Sequence, residues 1–141
     1  MNLASATATA LTFVWLGMVL AISFLEAPLK FRAPGVTLQI GLGIGRVVFR
    51  ALNTVEALLA VGIVVTLALG PPPVSVVVTL AFVVVALVVQ LLVVRPKLTR
   101  RSDAVLTGQN LSASHAHYAY VVFEVIKVIA LAVGGILLLS G

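Results

Sequence analysis

Four long apolar segments dominate this chain and limit what it can fold into. They cover residues 4–25, 46–69, 74–94 and 116–139, and each is close to the roughly 20 residues that a helix needs to cross a bilayer. The third segment is rich in valine, but a run this long must satisfy its backbone hydrogen bonds internally and is therefore predicted to be helical. The sequence predicts an all-α, polytopic membrane protein: one domain, residues 1–141, with four transmembrane helices in an up-down bundle.

The residues between the segments fit this division. Gly70 and the prolines at 71–73 cannot continue a helix, and Pro28 and Pro34 are predicted to break the stretch that follows the first span. The whole chain is 62% hydrophobic and only 9% charged, whereas charged residues make up about 25% of a typical soluble domain. A water-soluble fold is therefore excluded.

The positive charges predict the orientation in the membrane. They concentrate in and beside two connections, residues 26–46 and 95–115, which lie on the same side of a four-span chain. The positive-inside rule places both connections in the cytoplasm and both termini outside, in the cell (inner) membrane. The net charge of +5 is then an orientation signal, and nucleic acid is not expected as a partner.

Polar and ionisable residues recur at helical spacing inside two of the spans. Steps of three and four residues place each set on one helix face. The second span carries Arg46, Arg50, Asn53 and Glu56, and the fourth carries His117, Tyr120, Glu124 and Lys127. On the first span, Trp15, Ile22 and Glu26 share a face. The third span offers only Gln90 and is predicted to face lipid.

Depth separates these residues into two layers. At 1.5 Å per residue, Glu56, Glu124 and Lys127 lie about 13–18 Å from the cytoplasmic ends of their helices, close to the bilayer midplane. With Asn53 they are predicted to form a polar core. The residues predicted to form a shallower cytoplasmic vestibule are Glu26, Arg46, Arg50, His117 and Tyr120.

Ionisable groups inside a bilayer are costly and usually functional, but two interpretations of this cluster remain open. Three basic residues in or beside the spans balance three carboxylates, so the charges could simply pair and fix the helix packing. Alternatively, an aqueous path or substrate site passes through the core. The second interpretation is favoured because small residues, Gly17 and Ala21 or Ala130 and Gly134, already allow close helix packing without buried charge.

Specific metal and cofactor chemistries find little support in the sequence. Glu56 and Glu124 are not followed by histidine three residues later, as a di-iron bundle requires. The chain has no cysteine and two methionines, too few soft ligands for a copper(I) pathway. Glu26 and His117 remain candidate metal ligands between helices, and no cofactor is predicted.

The glycines at 41, 43 and 45 precede two arginines at the start of the second span. They lack the strand–turn–helix context of a dinucleotide-binding loop and predict a flexible lead into the helix. An anion or a lipid headgroup at this basic helix start is a further possibility.

Several short patterns along the chain resemble a known group of proteins. They are Trp15-x-Gly17, Glu26-x-Pro28-x-Lys30-Phe31, Phe49-x-x-Leu52-Asn53-x-x-Glu56 and His117-Tyr118 before Glu124-x-x-Lys127. Together they resemble small bacterial four-helix membrane proteins whose activity is not established. More loosely, they are similar to copper-resistance D-type membrane families. The resemblance implies the four-helix fold and no particular substrate.

These observations favour a small oligomeric transporter or channel for protons, ions or a small polar solute. One alternative is an accessory or assembly subunit of a larger membrane complex, whose charges pair with a partner subunit. The other is a membrane-embedded redox or lipid-modifying enzyme, which the residue pattern favours less. The expected partners are the lipid bilayer and either further copies of this chain or another membrane subunit.

Overall fold

The computed structural model describes residues 2–96, 98–100 and 115–141, with only the backbone at 115–117. Within these ranges all regular structure is helical, which confirms the all-α class. Four helices are long and apolar enough to cross a membrane. They are α1 (Leu3–Arg32), α2 (Leu38–Leu69), α3 (Val74–Val94) and α4 (His115–Ser140).

Helix α1 changes its winding along its length. It is α-helical from Leu3 to Val19, π-helical over Leu20–Glu26, α-helical again over Ala27–Leu29, and it ends in a 3₁₀ turn, Lys30–Arg32. The predicted break at Pro28 is therefore wrong. A proline ring clashes with the carbonyl four residues earlier in a regular α-helix, and the wider π-helical turns immediately before Pro28 relieve that clash.

Helix α3 repeats this arrangement. Its α-helical part, Val74–Val89, is followed by a π-helical segment, Gln90–Val94, just before Pro96. Both π-helical segments therefore precede a proline by only a few residues. Each widened turn changes the direction in which the side chains around it point.

Helix α2 begins at Leu38, well before the predicted start near Arg46. Thr37 caps it by accepting a hydrogen bond from the backbone amide of Ile40 at 3.2 Å. The glycine-rich stretch is thus helical, and the predicted flexible lead is wrong. Gly41 lets the helix approach Phe31 closely, because a Cβ at this position would overlap the Phe31 ring. At about 48 Å, α2 is longer than the roughly 30 Å hydrocarbon core, so its first turns extend beyond that core.

The four helices enclose one apolar core. Helix α1 packs against both α2 and α4, and α4 packs against α3, whereas α2 and α3 touch at few positions. Residues from all four helices fill the centre, among them Trp15, Ile63, Leu80 and Leu131. The exposed surface of the helices is largely aliphatic and aromatic, as lipid contact requires.

Gly134 provides a test of the contact between α3 and α4. A Cβ at this position would lie 2.9 Å from Cδ2 of Leu80, which is buried. We expect Gly134→Ala to lower the free energy of unfolding by about 1–2 kcal/mol through overpacking. The matched control is Gly17→Ala on α1, where a Cβ meets no atom within 4 Å. Denaturing-detergent titrations should separate the two variants, and equal stability would contradict the tight α3–α4 contact. The same observation contradicts the prediction that Gly17 allows a close contact between helices, because no atom lies within 4 Å of a Cβ built there.

Candidate functional site

A buried ion triad lies where α2 and α4 face each other. The ammonium Nζ of Lys127 is 2.5 Å from Oε2 of Glu56 and 2.7 Å from Oε1 of Glu124. Lys127 and Glu56 have no exposed surface, and Glu124 is 2% exposed. The sequence prediction that these three residues meet in one polar core is consistent with this geometry. We call Glu56, Glu124 and Lys127 the triad.

Helix α1 contributes a donor to Glu56. The indole Nε1 of Trp15, a fully buried side chain, donates a hydrogen bond to Oε2 of Glu56 at 2.8 Å. This oxygen therefore accepts from both Trp15 and Lys127. The other oxygen, Oε1 of Glu56, is buried and has no donor among the described residues. Glu56 is thus bonded on one side only.

Glu124 is more completely bonded than Glu56. Its Oε2 accepts a hydrogen bond from Oγ of Ser23 at 2.6 Å, and its Oε1 accepts one from Nε2 of Gln90 at 2.8 Å. With Lys127, three side chains from three helices stabilise this carboxylate. Ser23 and Gln90 both lie in the π-helical segments that precede Pro28 and Pro96.

The prediction that α3 faces lipid is wrong for Gln90. This residue is 2% exposed and its amide also lies 3.4 Å from the backbone oxygen of Tyr120. The sequence analysis did not include Gln90 among the site residues. A signal was present, because a polar side chain in an otherwise apolar span is costly to bury unless it has a partner. Ser23 carried no comparable signal because serine is common in membrane helices and bonds to its own backbone.

Asn53 lies on the same face of α2 as Glu56, one turn towards the basic residues. It is buried at 9% exposure, and its side chain makes no hydrogen bond to another described residue. Its placement agrees with the predicted polar core.

A second group of side chains lies at the end of the bundle where α1 ends and α2 begins. We call it the basic end, and its cations are Lys30, Arg46, Arg50 and Arg95. Phe49 is at its centre: Nζ of Lys30 and Cζ of Arg95 lie 5.5 and 5.7 Å from the ring centroid. These distances are in the range of cation–π contacts.

The predicted vestibule residues divide between exposed and buried positions at this end. Arg46 and Arg50 are exposed, while Glu26 is half-buried and lies 3.9 Å from Nζ of Lys30. Tyr120 is buried and packs edge-on against Phe49, with the ring centroids 5.6 Å apart. The side chain of His117 lies outside the described part of the structure, as does most of the connection 95–115.

The prediction that Glu26 and His117 could bind a metal ion stays open, because the side chain of His117 is not described. Among the described residues, no group of three or more histidines and carboxylates could hold a metal ion. The candidate pair of Glu26 and His117 includes a side chain that is not described, so their proximity stays a prediction.

Comparisons with known proteins add no assignment to this geometry. No protein-family model, no curated protein and no solved structure matches this chain.

Proposed function

We propose that this chain is a small membrane transporter whose triad binds and passes protons. One observation carries the proposal: the buried core holds two carboxylates but only one ammonium, and one carboxylate oxygen has no donor. The balance of three bases and three carboxylates counted in and beside the spans does not hold at the triad, because Arg46 and Arg50 are exposed at the basic end. With all three groups ionised, the triad carries a net charge of −1.

An uncompensated charge in a water-free interior is expensive, and buried ionisable groups take up or release protons rather than bear that cost. Binding one proton makes the triad neutral. The two carboxylates differ in the partners of their oxygens. Glu124 accepts hydrogen bonds from Ser23 and Gln90 and forms an ion pair with Lys127, so both of its oxygens have a partner. Glu56 has the free oxygen and is therefore the residue that we assign as the proton carrier.

Access to the triad requires the helices to separate. The three groups have almost no exposed surface, so a proton cannot reach them from either side in this conformation. Helices α2 and α3 touch at few positions, which makes this side of the bundle the easiest to open. Asn53 lies one helical turn from Glu56 towards the basic end, which we propose faces the cytoplasm. A second copy of the chain could complete the path, in keeping with a homo-oligomer.

A proton-flux assay in proteoliposomes tests this proposal. With an imposed pH gradient and a potassium–valinomycin potential, a pH-sensitive dye inside the vesicles should report flux by the wild-type protein. We expect Glu56→Gln to reduce this flux at least tenfold, since it removes the titrating group while keeping the side-chain shape. Thr54→Val is the matched control, because Thr54 is an exposed neighbour on the same helix.

The complete enclosure of the triad favours a second candidate function, an accessory or assembly subunit whose buried charges only fix the helix packing. The same reconstitution distinguishes the two. If Glu56→Gln folds normally and the flux equals that of wild-type vesicles, the proton-transport proposal is wrong and the structural role of the triad is supported. A flux no greater than that of protein-free vesicles for the wild type would lead to the same conclusion.

A further inference from the structure

The basic end combines several positive charges with a buried hydroxyl that has no hydrogen-bond partner among the described residues. Among the described residues, Oη of Tyr120 is a buried oxygen with no hydrogen-bond partner, and the residue is only 8% exposed. A buried phenol of this kind normally finds an acceptor, because leaving one unmade costs about 1–3 kcal/mol. The structure therefore has an unused donor at this end of the bundle.

The guanidinium group of Arg95 lies within electrostatic reach of Tyr120 and of two further guanidinium groups, those of Arg46 and Arg50. Burial lowers the pKa of Arg95 below its ordinary value, the phenol of Tyr120 opposes this effect, and the like charges of Arg46 and Arg50 add to it. Arginine stays charged regardless, so the repulsion persists. No described carboxylate forms an ion pair with Arg50 or Arg95. An anion among them would relieve the repulsion.

The side chains are also held in place. Phe49 packs against Tyr120 and lies beneath the guanidinium of Arg95, with the cation 5.7 Å from the ring centroid. The ring therefore positions a phenol donor and a planar guanidinium donor from two different helices next to each other. Lys30 lies 5.5 Å from the same ring and adds positive charge from α1. Three helices thus contribute to one group of donors.

We propose that the basic end binds a phosphate group through the guanidinium groups of Arg95 and Arg50 and the hydroxyl of Tyr120. Guanidinium groups offer paired donors that match phosphate oxygens, and a phenol O–H donating to a charged oxygen is a strong hydrogen bond. Arg95 follows the last residue of α3, Val94, which is the depth of lipid headgroups. The phosphate could belong to an anionic phospholipid or be free in solution. This inference does not depend on proton transport by the triad.

Thermal unfolding of the purified protein in a nonionic maltoside detergent tests the proposal. One titration adds inorganic phosphate, with sodium chloride at equal ionic strength as its control. The other adds dioleoylphosphatidylglycerol to the micelles, with dioleoylphosphatidylcholine as its control. We expect at least one of the two phosphate probes to raise the unfolding midpoint saturably. A response to phosphatidylglycerol alone identifies a lipid site, and a response to inorganic phosphate shows that the free ion is also accepted.

Two conservative variants connect the response to the proposed donors. We expect Tyr120→Phe and Arg95→Gln each to weaken the apparent affinity about tenfold or more, the loss typical of one hydrogen bond to a charged group. Tyr118→Phe is the matched control, because Tyr118 is on the same helix but 61% exposed. Saturation at the same concentration in wild type and Tyr120→Phe would overturn the proposal. A shift reproduced by sodium chloride or by phosphatidylcholine would also overturn it.

Discussion

Replacing Lys127 by methionine should lower the free energy of unfolding by about 3–5 kcal/mol, the typical cost of removing one partner from a buried ion pair. Methionine has nearly the length and apolar body of lysine but no ammonium group. The carboxylates of Glu56 and Glu124, now 2.5 and 2.7 Å from Nζ, would then lie close together without a cation. The loss can be measured by titrating the solubilised protein with a denaturing detergent and following its circular dichroism.

Two further variants show whether the charge itself is responsible. Lys30→Met is the matched control, because the carboxylate 3.9 Å from Lys30 is 34% exposed and can be solvated when the ammonium is lost, so we expect a smaller loss of stability than for Lys127→Met. The triple variant Glu56→Gln, Lys127→Met, Glu124→Gln removes every charge from the triad, and we expect it to regain most of the lost stability. If Lys127→Met were no less stable than Lys30→Met, the triad would not stabilise the fold.

Trp15→Ala should be about as destabilising, with a loss of about 3–5 kcal/mol, the range observed when a large buried aromatic side chain is truncated. Trp15 has no exposed surface and belongs to the apolar core between the helices. Trp15→Phe keeps most of the packing but removes the hydrogen bond to Glu56. Because its acceptor is charged, we expect that variant to lose about 1.5–3 kcal/mol.

The control for both tryptophan variants is Phe24→Ala. Phe24 is on the same helix and 41% exposed, and a surface substitution of this kind is expected to change stability by about 0.5 kcal/mol or less. All three measurements use the same detergent titration. Wild-type stability in Trp15→Phe would mean that the indole–carboxylate hydrogen bond makes no net contribution to the fold.

Much of this architecture could be predicted from the sequence alone. The lengths of the apolar runs determined the number of spanning helices, because a bilayer imposes both a minimum length and internally bonded backbone. The helical period placed Glu56 and Lys127 on inward faces, and the observed 2.5 Å contact between them agrees with that placement. Orientation relative to the cytoplasm stays a prediction from the positive charges.

Three features could not be predicted from the helical period: the roles of Ser23 and Gln90 at Glu124, and the start of α2. Ser23 gives no signal in the sequence because a serine in a helix can bond to its own backbone, and its hydrogen bond to Glu124 appears only in the structure. Gln90 was excluded because a single polar residue gives no stripe. The predicted start of α2, near Arg46, is too late because glycine has a low helix propensity. In the structure Gly41 is helical, and its missing side chain lets the helix pack against Phe31. In that case tertiary packing outweighed propensity.

The balance of charges counted from the sequence did not include the depth of each group in the membrane. Three cations and three carboxylates balance in and beside the spans, but an electrostatic balance must hold at each depth of the membrane. Lys127 is at the triad, while Arg46 and Arg50 are exposed at the basic end. Separation along the helix axis leaves a net negative group in the middle and a net positive group at one end. Side-chain burial was needed to see this separation.

The two π-helical segments have a mechanical consequence for α1 and α3. Shifting a helix by one residue in its hydrogen-bond register rotates everything beyond that point by about 100°. Relaxation of Leu20–Glu26 or Gln90–Val94 to α-helical winding would therefore turn one part of the helix relative to the other without unfolding it. Such a turn would withdraw Ser23 or Gln90 from Glu124 and bring a different side chain to the carboxylate. Each of these helices can therefore rotate at the segment just before its proline, Pro28 or Pro96. Both segments lie beside Glu124, the most completely bonded carboxylate of the triad.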